Sequence, residues 1–232
     1  PLPQTAIDFQ RGLISTHGSL EMPACKAAKV PFEQLNMPDA DVSILRPLPM
    51  ARCTNAVFQQ IVAETSWHTQ LTRKNGDTYR PPRRIALYGE LGQSYNFSGL
   101  SVPAVPFSAL ISDLRSRVEE HTSARFNAAF LNFYEDHNHS IGFHSDDEEE
   151  LGVNPTIASL SFGETRVFTM RHKFRHDVPD VNIPLLDGTL LMMKGETQRH
   201  WEHGIERQEE QCGPRLNLTF RLMNWYRQGE RD

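Results

Sequence analysis

The stretch Gly142-Phe143-His144-Ser145-Asp146-Asp147-Glu148 decides how this chain is read, because a second histidine, His203, follows in Trp201-Glu202-His203. Residues two apart on a β-strand project from the same face, so His144 and Asp146 can hold one ion while Ser145 turns away. A distant strand that brings His203 across completes one face of a metal site. Two neutral imidazoles and one carboxylate, with the other positions open, are the ligand set of non-haem Fe(II) oxygenases. A zinc hydrolase can use the same set, so the triad alone leaves the metal open. With ten histidines and 29 acidic residues, an H-x-D spacing arises easily by chance, and its weight depends on its surroundings.

Downstream, Pro214-Arg215-Leu216-Asn217-Leu218-Thr219-Phe220-Arg221 alternates. As a strand it puts Arg215, Asn217, Thr219 and Arg221 on one face and Leu216, Leu218 and Phe220 on the other. Two guanidinium groups on one face are costly to bury without an anion, and arginine suits paired hydrogen bonds to a carboxylate. The alternative is a solvated outer sheet face with the leucines inside. Upstream, Phe130-Leu131-Asn132-Phe133-Tyr134 repeats the pattern. Asn132 and Tyr134 share a face and can complete a clamp on an organic acid, or simply cap a core.

From about Pro82 to Leu222 the chain resembles the AlkB family of Fe(II)- and 2-oxoglutarate-dependent nucleic-acid dealkylases. The resemblance rests on Tyr88-Gly89-Glu90, Tyr95-Asn96-Phe97-Ser98-Gly99, Asn132-Phe133-Tyr134, His144 to Glu148, Ile157 to Gly163, Gly188 to Met193, His203 and Arg215 to Arg221, in the same order. It implies that His144, Asp146 and His203 bind iron, and that Asn132, Tyr134, Arg215 and Arg221, with Asn217 beside them, hold 2-oxoglutarate, with O2 as co-substrate. Tyr95, Phe97 and Ser98 fall where the family builds its base pocket. Asp147 and Glu148 follow at its rim, Asp147 to place a cationic base or to order a clamp arginine. The implied reaction is oxidative removal of N-alkyl groups from bases such as 1-methyladenine and 3-methylcytosine, yielding formaldehyde and succinate. The alternative is a 2-oxoglutarate-dependent hydroxylase of a protein or small molecule.

Net charge is −5, which does not exclude nucleic acid, since phosphate binding needs local positive charge. Arg73, Arg83 and Arg84 form one basic cluster and Arg171 and Lys173 a second, both expected to contact the backbone. A base must leave the stack to reach the iron, yet residues 69–79 carry no bulky apolar pair at the tip of an expected hairpin. Single-stranded DNA or RNA is therefore favoured as partner.

Many short strands with turn signals point to a mainly β fold with flanking helices (α+β), a sandwich or barrel, and the resemblance implies a double-stranded β-helix, or jelly roll, over about 125–224 with a nucleotide-recognition lid over about 67–105. Residues 1–45 read as a partly irregular extension and 46–228 as the dioxygenase domain. Helices are expected near Asn55 to Trp67 and from Pro106 to His121, where apolar residues recur at helical spacing. Three scattered cysteines suggest reduced thiols, and no membrane span or signal-peptide pattern is evident. A monomer in the nucleus and/or cytoplasm is expected. His137, His139 and His200 are read as non-ligands, and Trp67 and Trp201 as packing residues.

Overall fold

A computed structural model describes residues 30–72, 76–97 and 100–225. In chain order the elements are β1 (Glu33–Leu35), β2 (Asp41–Leu45), α1 (Thr54–Glu64), β3 (Leu71–Thr72), β4 (Thr78–Tyr79), β5 (Arg84–Tyr88), β6 (Ser94–Phe97), β7 (Leu100–Pro103) and α2 (Ala109–Thr122). They continue with β8 (Ala128–Tyr134), β9 (Ile141–His144), β10 (Ile157–Gly163), β11 (Arg166–His172), β12 (Val181–Leu185), β13 (Leu190–Lys194), α3 (Thr197–His200), β14 (Trp201–Ile205) and β15 (Arg215–Arg221). Seven strands form one antiparallel sheet in the order β1-β2-β13-β10-β15-β8-β5, and four form a second in the order β12-β11-β14-β9. The two sheets make a jelly roll.

Alternation along each strand decides what lies on either side of the larger sheet. Leu131 and Phe133 of β8, Leu160 and Phe162 of β10, and Leu216, Leu218 and Phe220 of β15 pack outward. They meet Val57, Phe58 and Ile61 of α1 and Leu110, Ile111, Leu114 and Val118 of α2. Helix α2 begins where the Ser108 hydroxyl accepts the Ile111 N–H at 3.2 Å, an N-cap that satisfies an otherwise orphan donor. A second apolar cluster lies between the sheets, with Ile44, Ile157, Leu191 and Met193 against Phe168, Met170, Ile183, Leu185, Trp201 and Ile205. Trp201 is fully buried and donates to the Pro38 carbonyl at 2.9 Å, as its packing assignment required.

Strand pairing starts earlier than the sequence suggested. Residues 33–45, expected to be part of an irregular extension, form β1 and β2, and Leu190 to Lys194 pair with Leu45 to Asp41. Val42 and Leu45 are fully buried, so the cost of ordering this segment is met by apolar burial. The expected lid consists of two short hairpins, β3–β4 and β6–β7. Leu71, Tyr95, Leu100 and Val102 pack on Ile85, Leu87 and Phe130, with Met223 closing from the C-terminal side.

Candidate active site

Strand β9 pairs antiparallel with β14, and His144 stands directly opposite His203. Opposed residues on such a pair have Cβ atoms about 5 Å apart, and the two ring centroids lie 4.5 Å apart. The register slips between His203 and Ile205. At that slip a Cβ on Gly204 would lie 3.0 Å from the Ile141 carbonyl oxygen and 3.3 Å from the Phe143 nitrogen. Glycine there lets the two strands approach closely beside the ligands. Asp146, just past the end of β9, is 2% exposed, with Oδ2 3.7 Å from His203 Nε2. The potential ligand atoms of all three residues lie within 4.8 Å of one another.

The surroundings hold these groups in ligand form. His144 Nδ1 lies 2.9 Å from the Gly142 carbonyl, which places the proton on Nδ1 and leaves Nε2 for a metal. The Phe168 ring stacks on His203 at 5.0 Å, and Gln198 Oε1 accepts the Asp146 N–H at 2.9 Å. Burial, helped by His144, lowers the His203 pKa to about 3 against the opposing pull of Asp146, so the imidazole is neutral. Burial alone would raise the Asp146 pKa, but Arg221, His203 and His144 outweigh it and hold the carboxyl below the usual range. The His144 imidazole, the neutral His203 imidazole and the ionised Asp146 carboxylate converge.

The neighbouring strands β15 and β8 turn their polar faces to a cavity of about 340 Å³. Register pairs Asn217 with Asn132 and Arg215 with Tyr134. The solvated-face alternative fails, since Arg215 is 1% and Arg221 6% exposed. Arg215 donates to Ser161 Oγ at 3.0 Å, while its Nε and one terminal nitrogen are buried without partners. Burial lowers its pKa to about 10, although Tyr134 pulls the other way. Among the described residues no carboxylate lies within ion-pair distance of it. A buried guanidinium with free donors is a receptor for an anion. Arg221 is arranged differently, for it is paired with Asp146 and lies over the Tyr95 ring. Asn217 is already engaged by Ser159, Leu160 and Thr219.

Part of the cavity lining is aromatic. Tyr95 and Phe97 lie 5.4 Å apart, and both meet Phe130 edge-on. Glu148 reaches the same space, with one carboxyl oxygen buried and unpartnered, and burial raises its pKa despite contact with the Tyr95 hydroxyl and Arg221. Asp147 turns the other way, to Lys173 at 3.4 Å, so the carboxylate that orders a clamp arginine is Asp146.

The basic residues divide. Arg83, expected on the surface, is 8% exposed and lines the cavity, donating to Asn132 Oδ1 at 2.6 Å. Arg84 remains at the surface on a bidentate pair with Glu135. Arg171 pairs with Asp180 and stacks over Phe143, and Lys173 bonds the Gln198 carbonyl at 2.8 Å. Arg73 and Ser98 lie outside the described residues. A second cluster, Asp39, His172 and His200, has metal-like proximity. His172 Nδ1, however, accepts the N–H groups of Phe174 and Arg175 at 3.2 and 3.1 Å. Its proton therefore sits on Nε2, facing Asp39, and the cluster is a hydrogen-bonded anchor for the loop after β11.

The model for the 2OG-Fe(II) oxygenase superfamily matches residues 42–221. Mouse alpha-ketoglutarate-dependent dioxygenase alkB homolog 3 is 41% identical over 175 residues, covering 72% of this chain and 60% of that protein. Mouse DNA oxidative demethylase ALKBH2 is 38% identical over 174 residues, covering 71% of this chain and 73% of that protein.

The chain belongs to the AlkB family of 2OG-Fe(II) oxygenases.

A solved structure, "The structure of OsALKBH1", shares the fold at TM-score 0.54 and 19% identity, over 83% of this chain and all of that one. Beside alkB homolog 3 the chain spans 60% of its relative's length. The donor set fits the family's cofactors. His144, Asp146 and His203 suit Fe(II), and the free donors of Arg215 beside Tyr134 suit the far carboxylate of 2-oxoglutarate. Among the described residues, no helix is long and apolar enough to cross a membrane.

Proposed function

We propose that this chain removes N-methyl groups such as those of 1-methyladenine and 3-methylcytosine from single-stranded DNA or RNA. The observation that carries the proposal is that one cavity is lined by the metal triad of the smaller sheet, the Arg215 anion receptor of the larger sheet and the Tyr95/Phe97/Phe130 aromatic cluster. A methylated base is flat, aromatic and often cationic. Aromatic faces stack on it sequence-tolerantly, and the Glu148 carboxyl lines the same cavity. When bound, iron with 2-oxoglutarate and O2 supplies an oxidant that hydroxylates the N-methyl carbon, with succinate and carbon dioxide formed and formaldehyde released.

The remaining roles belong to this chain's residues. His144, Asp146 and His203 hold the metal, and Arg215 with Tyr134 takes the distal carboxylate. Arg221 balances the Asp146 charge. Tyr95, Phe97 and Phe130 hold the base flat and exclude water from the reacting methyl. Arg83 braces Asn132 from the same wall. Single-stranded substrate is favoured because β3 and β4 are two residues each and the sequence between them, Arg73-Lys74-Asn75-Gly76-Asp77, has no apolar side chain to replace an extruded base. Arg73, Arg84, Arg171 and Lys173 lie in the segments assigned to the nucleic-acid backbone.

The test is mass spectrometry of a panel of single- and double-stranded DNA and RNA oligonucleotides carrying each lesion, with Fe(II) and 2-oxoglutarate. Demethylation of single strands, lost in His144→Ala, is expected. A strong preference for duplex DNA would overturn the strand assignment, and turnover surviving His144→Ala with iron chelated would overturn the chemistry.

A further inference from the structure

Arg166 opens β11 on the smaller sheet and is 1% exposed. Its guanidinium donates to three backbone carbonyls, those of Asp136 at 3.3 Å, His139 at 3.0 Å and Glu206 at 2.6 Å. Its Nε is buried and unpartnered, and among the described residues no carboxylate pairs with it. Carbonyl dipoles satisfy its donors without cancelling its charge. A full positive charge is thus kept in the interior beside Arg215, which is likewise uncompensated. Both guanidinium groups lie against the Tyr134 ring, whose centroid is 5.8 Å from the Arg166 guanidinium carbon and 5.1 Å from that of Arg215.

Two buried cations flanking one ring repel each other, and the charge of Arg166 contributes to lowering the Arg215 pKa. Such an arrangement is costly unless a ligand brings negative charge. It also fixes the turn at residues 136–139, which leaves β8 immediately after Tyr134.

We propose that Arg166 is a positioning residue for the co-substrate, adding a second buried charge behind Tyr134 that strengthens the hold of Arg215 on the distal carboxylate. It rests on the assignment of that pocket to 2-oxoglutarate. The two guanidinium carbons are no more than about 11 Å apart, and a unit charge about 11 Å from a carboxylate changes affinity about tenfold at an effective dielectric of about 20. Lysine at this position would keep the charge and lose the fork, whereas glutamine would keep hydrogen bonds and lose the charge.

Isothermal titration of Mn(II)-loaded protein with 2-oxoglutarate separates these effects, with melting in the absence of 2-oxoglutarate as the folding control. Arg166→Gln is expected to raise Kd about tenfold and leave kcat at saturating 2-oxoglutarate within about twofold, while Arg166→Lys stays within about threefold of wild type. An unchanged Kd in Arg166→Gln, or an equal loss in both variants, would overturn the proposal. Should the variants not fold, the wild-type protein is titrated with the distal monoamide of 2-oxoglutarate. It must bind about ten-thousandfold more weakly than the diacid, contact with Arg215 giving about a thousandfold and Arg166 about a further tenfold, and a ratio of about a thousandfold or less overturns the proposal. A wild-type protein that binds no 2-oxoglutarate would instead sink the assignment of the pocket.

Discussion

Replacing Asp146 with asparagine separates two roles that the structure gives to one carboxylate, metal ligand and partner of Arg221. Both side chains are almost completely buried, at 2% and 6% exposure. Breaking a buried pair by removing one partner costs about 3–5 kcal/mol, because an uncompensated charge stays behind. Glu148 also faces Arg221, which puts the expected loss near the lower end, about 3 kcal/mol. For a chain of this length that lowers Tm by about 10 °C. The assay is calorimetric melting in EDTA, where loss of a ligand does not enter. The double variant Asp146→Asn/Arg221→Met should recover at least half of the lost stability, since Arg221 lies 5.1 Å over Tyr95 and 5.6 Å over Phe130 and methionine can fill that aromatic niche. Added Mn(II) should raise the Tm of Arg221→Met but not of either variant lacking Asp146. A single Asp146→Asn variant within about 1 kcal/mol of wild type in EDTA, or a double variant no more stable than the single, would refute the pairing argument.

Gly204→Ala should weaken Mn(II) binding about tenfold or more, because its Cβ would press on the Ile141 carbonyl at 3.0 Å and shift His203, and small displacements around a ligand typically cost affinity on that scale; unchanged metal titration would argue against the close strand approach. Phe97→Ala should raise KM for a methylated oligonucleotide about 5- to 100-fold, the worth of one stacked base, while 2-oxoglutarate Kd stays at the wild-type value in a calorimetric titration. Leu114→Ala, at 1% exposure in α2, should cost about 2–5 kcal/mol in urea unfolding and leave both ligand affinities unchanged, because α2 packs on the far side of the sheet from the cavity.

What could be read from sequence follows from which signals are local. The alternation of residues 215–221 specifies both the strand and its polar face, since helix-side leucines and cavity-side polar residues separate by parity alone. The stripe Leu110, Ile111, Leu114, Val118 likewise marks α2 and its buried side. The metal triad was legible because His144 and Asp146 are close in sequence, although their pairing with His203 depends on the β9–β14 register. Arg83 and Arg84 looked like one surface cluster, yet neighbours on extended chain point apart, so one braces Asn132 and the other binds Glu135. Arg166 gave no signal, because its partners are backbone carbonyls from distant segments. The strands at 33–45 were hidden among prolines, and only pairing with β13 gives their short apolar run its place.

The metal ligands belong to one sheet and the anion receptor to the other, so the distance between sheets, about 10 Å in packed β-layers, works as a caliper for the co-substrate. Its setting is held by residues that never meet a ligand, Ile157 and Leu191 of one sheet against Ile183 and Leu185 of the other. Trimming those side chains would close the jaws slightly, and discrimination between a five-carbon keto diacid and its four-carbon homologue should change with it. Ligand length in this fold is thus a property of the hydrophobic core as much as of the groups that touch the ligand.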